Sequence, residues 1–174
     1  MNVEYWDKAR AFHGHECPGL AIGVRVCEAA MERMGLGPAV DEELVCIAEN
    51  DACGVDAVQA LLGCTLGKGN LIYKGTGKQA FIFIRRDGGR ALRFYLKATR
   101  GDRERAEYQE YLLSAPLDEL FDCQEMDMTL PERARIFSSV PCEVCGESTS
   151  EQRMRLQEGK RVCLSCFREY DRGW

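Results

Sequence analysis

Leu44-Val45-Cys46-Ile47-Ala48-Glu49-Asn50-Asp51-Ala52-Cys53-Gly54 decides the fold. Five consecutive apolar residues have the length of a strand buried on both faces. The polar turn after them hands the chain to Val55, Val58 and Leu62, which recur at helical spacing and stop at Gly63. Asp51, Cys53 and Asp56 therefore lie where a strand passes into a helix, a frequent place for a functional loop. Both aspartates also suit plain helix capping. A cysteine at a helix N-terminus tends towards a depressed pKa, because backbone N–H groups stabilise its thiolate.

Towards the N-terminus, residues 4–12 read as a short helix. A tight segment follows, His13-Gly14-His15-Glu16-Cys17-Pro18-Gly19. Pro18 suits the first turn of the next helix, where its missing N–H is not needed. Leu20, Val24, Cys27, Met31 and Met34 then form one apolar stripe, closed by Gly35 with Gly37-Pro38 beyond it. Cys27 in that stripe and Cys46 in the strand read as small buried hydrophobes.

Towards the C-terminus, the turn-rich Gly63–Asn70 leads into strands Leu71–Tyr73 and Phe81–Ile84. Asp87-Gly88 predicts a two-residue hairpin, with Leu92, Phe94 and Leu96 alternating on the return strand. The order of helix, strand, helix and three strands predicts an α+β core: a mixed β-sheet with helices on one face. Residues 102–113 and 116–126 read as two acidic helices split by Pro116. The predicted organisation is a core over 1–126, a connecting segment over 127–139 and a small module over 140–174.

Length and composition agree with that division. The chain has 174 residues, enough for one domain and a small module, and 45% of them are hydrophobic, which excludes wholesale disorder. No apolar run approaches the roughly 18 residues of a membrane span, and the N-terminus does not read as a signal peptide. A cytoplasmic protein is expected. Net charge is −5, and the excess sits in residues 100–139, with 5 basic against 10 acidic side chains. No segment is basic enough for a general nucleic-acid binder.

Ten cysteines in a reducing compartment favour metal ligands and catalytic thiols over a disulfide framework. Cys142-x2-Cys145 and Cys163-x2-Cys166, with 17 residues between the pairs, can surround a tetrahedral zinc. About 35 residues bury too little apolar surface to fold unaided, so the metal supplies the cross-link. Iron is the minor alternative for four sulfurs. His13 and His15 are the only histidines, and with Cys17 they alternate along the chain. In an extended segment they converge just before a helix, and imidazole with thiolate suits zinc or another late first-row metal. Gly63-Cys64-Thr65-Leu66-Gly67-Lys68 fails as a nucleotide signature, though its glycines, Thr65 and Lys68 can line an anionic pocket.

The tail resembles the DksA/TraR-type four-cysteine zinc fingers, on Cys142-Glu143-Val144-Cys145-Gly146-Glu147, Arg155-Leu156 and Cys163-Leu164-Ser165-Cys166. In the core, Phe12–Gly19, Gly23-Val24-Arg25, Glu49–Gln59, Gly63-Cys64-Thr65 and Gly67–Leu71 together resemble the FmdE family, named for a component of formylmethanofuran dehydrogenase. That resemblance implies a core like the catalytic domain of glyceraldehyde-phosphate dehydrogenase, a homodimer and a metal-associated groove. By position the groove residues are His13, His15, Cys17 and Cys53, with Asp51, Cys64, Thr65 and Lys68 as ligand-binding neighbours. The redox chemistry of formylmethanofuran dehydrogenase belongs to a separate molybdenum or tungsten pterin component, and this chain is too small to hold that cofactor as well.

Three functions follow as expectations. The first is a metal-binding accessory protein of such molybdenum or tungsten systems, with structural zinc in the tail and a second zinc or other transition metal in the groove. The second is a small metal- or thiol-dependent enzyme, with Cys53 and His15 as catalytic candidates. The third is a metal- or ligand-sensing regulator that reports through the zinc finger to a protein or, with weaker support, a nucleic-acid partner. The homodimer is expected to be intertwined through the tail.

Overall fold

All five residues of β1 (Leu44–Ala48) are buried, as a strand covered on both faces requires. The computed structural model describes residues 1–170, 172 and 173. They form two units, Met1–Ala134 and Arg135–Trp174. In the first, the order is α1 (Val3–His13), α2 (Pro18–Met34), β1, α3 (Gly54–Leu62), β2 (Leu71–Tyr73), β3 (Ala80–Arg85), β4 (Ala91–Leu96), α4 (Arg105–Ser114), α5 (Leu117–Leu120) and β5 (Phe121–Glu125).

The strands make one mixed sheet in the order β2-β1-β3-β4-β5. β1 and β2 are parallel, with α3 between them in sequence, and the other pairs are antiparallel. Because side chains alternate along a strand, Cys46, Ala48, Phe81, Phe83, Leu92 and Phe94 share the face that meets the helices. Fully burying each large apolar side chain there contributes about 1.5–3 kcal/mol. The opposite face presents Val45, Ile47, Ile82, Ile84 and Ala91 and carries Met126 and Met128 against it. After β5 the chain stays on this unit: Arg86 donates to the Pro131 carbonyl, and the Ala134 N–H donates to Glu42.

α2 and α3 pack so closely that only glycine fits between them. A Cβ at Gly23 would lie 2.4 Å from the Gly54 carbonyl oxygen. This contact brings the N-terminus of α3 against the first turns of α2.

Two local expectations are corrected. Residues 116–126 are not one helix: only Leu117–Leu120 are helical, and Phe121–Glu125 pair with β4, Cys123 opposite Phe94. Phe121 is buried and Cys123 half-buried between exposed neighbours, so a free sheet edge outweighs the helical preference of an acidic stretch. The Asp87-Gly88 turn is wider than two residues. The hairpin spans Arg86–Arg90, closed by Arg85 N–H to Arg90 O, with both Gly88 and Gly89 at positive φ.

The second unit holds two hairpins, β6 (Ser139–Pro141) with β7 (Ser148–Ser150), and β8 (Met154–Gln157) with β9 (Lys160–Cys163). Glu158 and Gly159 are both left-handed, as a two-residue turn of the twist-compatible type demands. Its buried core is only Cys142, Val162 and Cys163 among the described residues. No helix among the described residues is long and apolar enough to cross a membrane.

Candidate metal centre

Two helices begin and one ends at the same place in the first unit. His13 is the last residue of α1, and Gly14 caps it at φ 88°. Cys17 is the N-cap of α2, in extended conformation, and its sulfur accepts the Leu20 N–H at 3.3 Å. Cys53 is the N-cap of α3 and makes no side-chain cap bond. One donor atom from each of His13, Cys17 and Cys53 lies within 4.8 Å of the other two. Cys17 is buried; His13 and Cys53 are half-buried.

A carboxylate orients the imidazole. Asp56, in the first turn of α3, places Oδ2 2.7 Å from His13 Nδ1. Gln59 donates to its other oxygen at 3.3 Å. A carboxylate only accepts, so Nδ1 carries the proton, and Nε2, 3.8 Å from Cys17 Sγ, is the ring nitrogen left able to take a metal. Burial pushes the Cys53 thiol up, and the hydrogen bond to the Cys17 sulfur works in the same direction. The expected depression by the helix N-terminus does not win. A soft divalent cation placed between the two sulfurs would replace the thiol protons. The donor set therefore fits zinc or a related metal.

His15 lies outside the trio. Gly14 breaks the alternation, so His15 is exposed beside His13, ring centroids 4.4 Å apart. The groove next to the trio is about 530 Å³ and is lined by His13, Cys53, Asp51, Asp56, Leu66 and Tyr73 among others. It opens at the C-terminal ends of the parallel pair β1 and β2, past Ala48 and Tyr73, where open α/β sheets bind ligands. Cys64, Thr65 and Lys68 are not among its lining residues. Cys64 is fully buried, its thiol aimed at the Leu44 carbonyl, and burial pushes its pKa up to about 12. The Lys68 ammonium donates to Ala39 O, and the Thr65 hydroxyl accepts the Lys68 N–H. Buried Asn70 organises this loop, bonding Thr65 N–H and the carbonyls of Asp41, Leu44 and Gly63. Gln59, Leu66 and Tyr73 are not candidates on sequence grounds. Gln59 alone carries a local signal, one helical turn beyond Asp56 on the same face.

In the second unit, Cys142, Cys145, Cys163 and Cys166 lie within 4.8 Å of one another. Each pair sits on a turn, closed by Gly146 N–H to Cys142 O and by Cys166 N–H to Cys163 O. Backbone N–H groups of Cys145, Cys163 and Val144 lower the Cys142 pKa to about 6. The neighbouring sulfurs of Cys163 and Cys145 raise Cys166 to about 12. Four such thiols fit a structural zinc, which would replace their protons and offset half of the negative charge of the four thiolates.

Comparison with known proteins matches one family model to each unit. The model described as "FmdE, Molybdenum formylmethanofuran dehydrogenase operon" matches residues 12–122. The prokaryotic DksA/TraR four-cysteine zinc-finger model matches residues 135–172. A protein of Archaeoglobus fulgidus described as a probable S-adenosyl-L-methionine-binding protein is 33% identical over 196 residues, covering 94% of this chain and 52% of that protein. The chain thus spans about half the length of that relative. Among solved structures, an FmdE-like protein of the tungsten formylmethanofuran dehydrogenase type from Syntrophus aciditrophicus superposes with a TM-score of 0.70 at 26% identity, covering 94% of this chain and 90% of the other. The first match takes in α2, α3 and every strand from β1 to β4, and a finger of four cysteines follows it; the chain belongs to the FmdE family of metal-binding proteins.

Proposed function

We propose that this chain is a metal-handling accessory protein of molybdenum or tungsten formylmethanofuran dehydrogenase-type systems. In this reading the tail keeps one structural zinc, and the core holds a second, exchangeable zinc or other transition metal on His13, Cys17 and Cys53. The observation that carries it is the count of donors: three in the core and four in the tail. Four protein donors close a tetrahedral site, whereas three leave a position where an incoming ligand can bind before the old bonds break. Delivery requires that property, and structural support forbids it. The family description and the likeness to the Syntrophus aciditrophicus protein support the link to the dehydrogenase system.

Metal stoichiometry with chelator competition tests the reading. The wild-type chain should bind two metal equivalents and lose one of them to a chromogenic chelator much faster than the other. Cys53→Ser should bind only the slow one. A single equivalent in the wild type, unaffected by Cys53→Ser, would overturn it. The groove beside the trio favours a second reading, a small metal- or thiol-dependent enzyme with Cys53 as ligand or nucleophile. A core metal that resists the chelator would favour that one. We also expect the chain to act as a homodimer and to offer its tail to a protein partner; a stable monomer in sedimentation at micromolar concentration would refute the dimer.

A further inference from the structure

The groove beside the trio has a charge pattern that selects its occupant. Two carboxylates, Asp51 and Asp56, line it, and among the described residues no lysine or arginine does. Asp56 is engaged on both oxygens, by His13 and Gln59. Asp51 is exposed and makes no ion pair or hydrogen bond among the described residues. The opposite character comes from Val55, Leu66 and Leu71, which give the groove an apolar wall. His13 and Cys53 belong both to the donor trio and to the lining, so the trio opens onto this space. At about 530 Å³ the groove has the size of a small-molecule site.

Charge balance sharpens the choice. Two thiolates balance a divalent metal, and a metal-bound imidazole is neutral, so the Nδ1–H of His13 bonds Asp56 without cancelling its charge. The groove therefore keeps the negative charge of its carboxylates, and that of Asp51 meets no partner among the described residues. An anionic ligand would meet that charge unopposed, and a cationic one would be drawn to it. The soft donor set favours a sulfur donor at the remaining position.

We propose that the groove binds a small cationic thiol: its sulfur completes the core metal site, its ammonium group pairs with Asp51, and its apolar body lies along Val55, Leu66 and Leu71. The proposal rests on the core metal site described above and adds the chemical class of what that site receives. Binding releases the thiol's proton to solvent, so no oxidant or reductant is needed.

Cysteamine and 3-mercaptopropionate test it, since they share one thiol and a similar reach and differ in the sign of the far charge. The full chain is first loaded with zinc in the tail and then with Co²⁺ in the core, and the visible absorption of the cobalt is followed as each thiol is added. Cysteamine should shift the cobalt spectrum and bind about tenfold more tightly than 3-mercaptopropionate. Asp51→Asn should remove most of that preference while leaving the cobalt spectrum of the thiol-free protein unchanged. Equal affinity for the two thiols, or a preference that survives Asp51→Asn, overturns the proposal and leaves the metal site standing. Failure of the core to take up Co²⁺ at all, with the tail still loaded, overturns both.

Discussion

Gly23→Ala should damage both the core's stability and its metal site, through one displacement. The added Cβ would lie 2.4 Å from the Gly54 oxygen and 2.5 Å from Gly54 Cα, where ordinary contact begins near 3.4 Å. Both obstacles are backbone atoms, so no side-chain rotation relieves them, and α2 and α3 must part by about 1 Å. Overpacking of this kind costs about 1–3 kcal/mol. At this chain length that is a fall in Tm of about 2–12 °C. Cys17 heads α2 and Cys53 is the neighbour of Gly54, so much of the same shift enters the distance between their sulfurs. A shift of about 1 Å is large against a Zn–S bond of roughly 2.3 Å, and metal affinity in the core should fall at least about tenfold. Thermal melts and Co²⁺ titrations read the two effects on one preparation. Gly37→Ala is the control, because no atom lies within 4 Å of its added Cβ and its backbone is not left-handed. A Gly23→Ala protein that melts and binds metal like the wild type would refute the argument that this close approach sets the centre's geometry.

Asp56→Asn should weaken core metal binding about 10- to 100-fold, with unchanged far-ultraviolet circular dichroism, because Gln59 holds the amide oxygen and the His13 ring then faces an NH2 donor in place of the charged acceptor that fixes its tautomer. Cys163→Ser should abolish the slow-exchanging zinc and unfold the tail, while the core keeps its secondary structure; retained zinc would contradict the four-cysteine site. After metal removal, thiol labelling located by mass spectrometry should modify Cys53 and Cys17 before Cys27, Cys46 and Cys64, whose side chains are fully buried and whose pKa values burial pushes up. Early labelling of any of the last three would show that the core opens more readily than its packing implies.

The parts of this molecule that can be read from sequence are those fixed by neighbours in the chain. Leu44–Ala48 is legible because a buried strand needs an uninterrupted apolar run. The ends of α2 are legible because Pro18 and Gly35 act on their own backbone. The four tail cysteines are legible because knuckle turns impose a spacing of two residues. What stays hidden depends on partners remote in sequence. Phe121–Glu125 becomes a strand only because β4 offers an edge. Asp56 is a plausible helix cap by position, and its pairing with His13, 43 residues away, exists only once α1 and α3 have packed. The Cys53 thiol shows the same limit from the electrostatic side: a helix N-terminus is visible in the sequence, but the burial and the second sulfur that oppose it are not.

Cys17 is the N-cap of α2 and, in the proposed metal site, would also be a ligand, two jobs that different residues usually perform. As an N-cap it accepts the Leu20 N–H, a task for which serine, threonine, aspartate and asparagine are the preferred residues. A sulfur is a weaker acceptor, so local helix chemistry gives no reason for cysteine at this position. In the proposed metal site the choice of residue is made by the metal, and the start of α2 is stabilised less than serine would allow. The helix boundary then records a compromise in the sequence itself: a substitution that improves the cap removes a donor, and the two properties cannot both be optimised at one side chain.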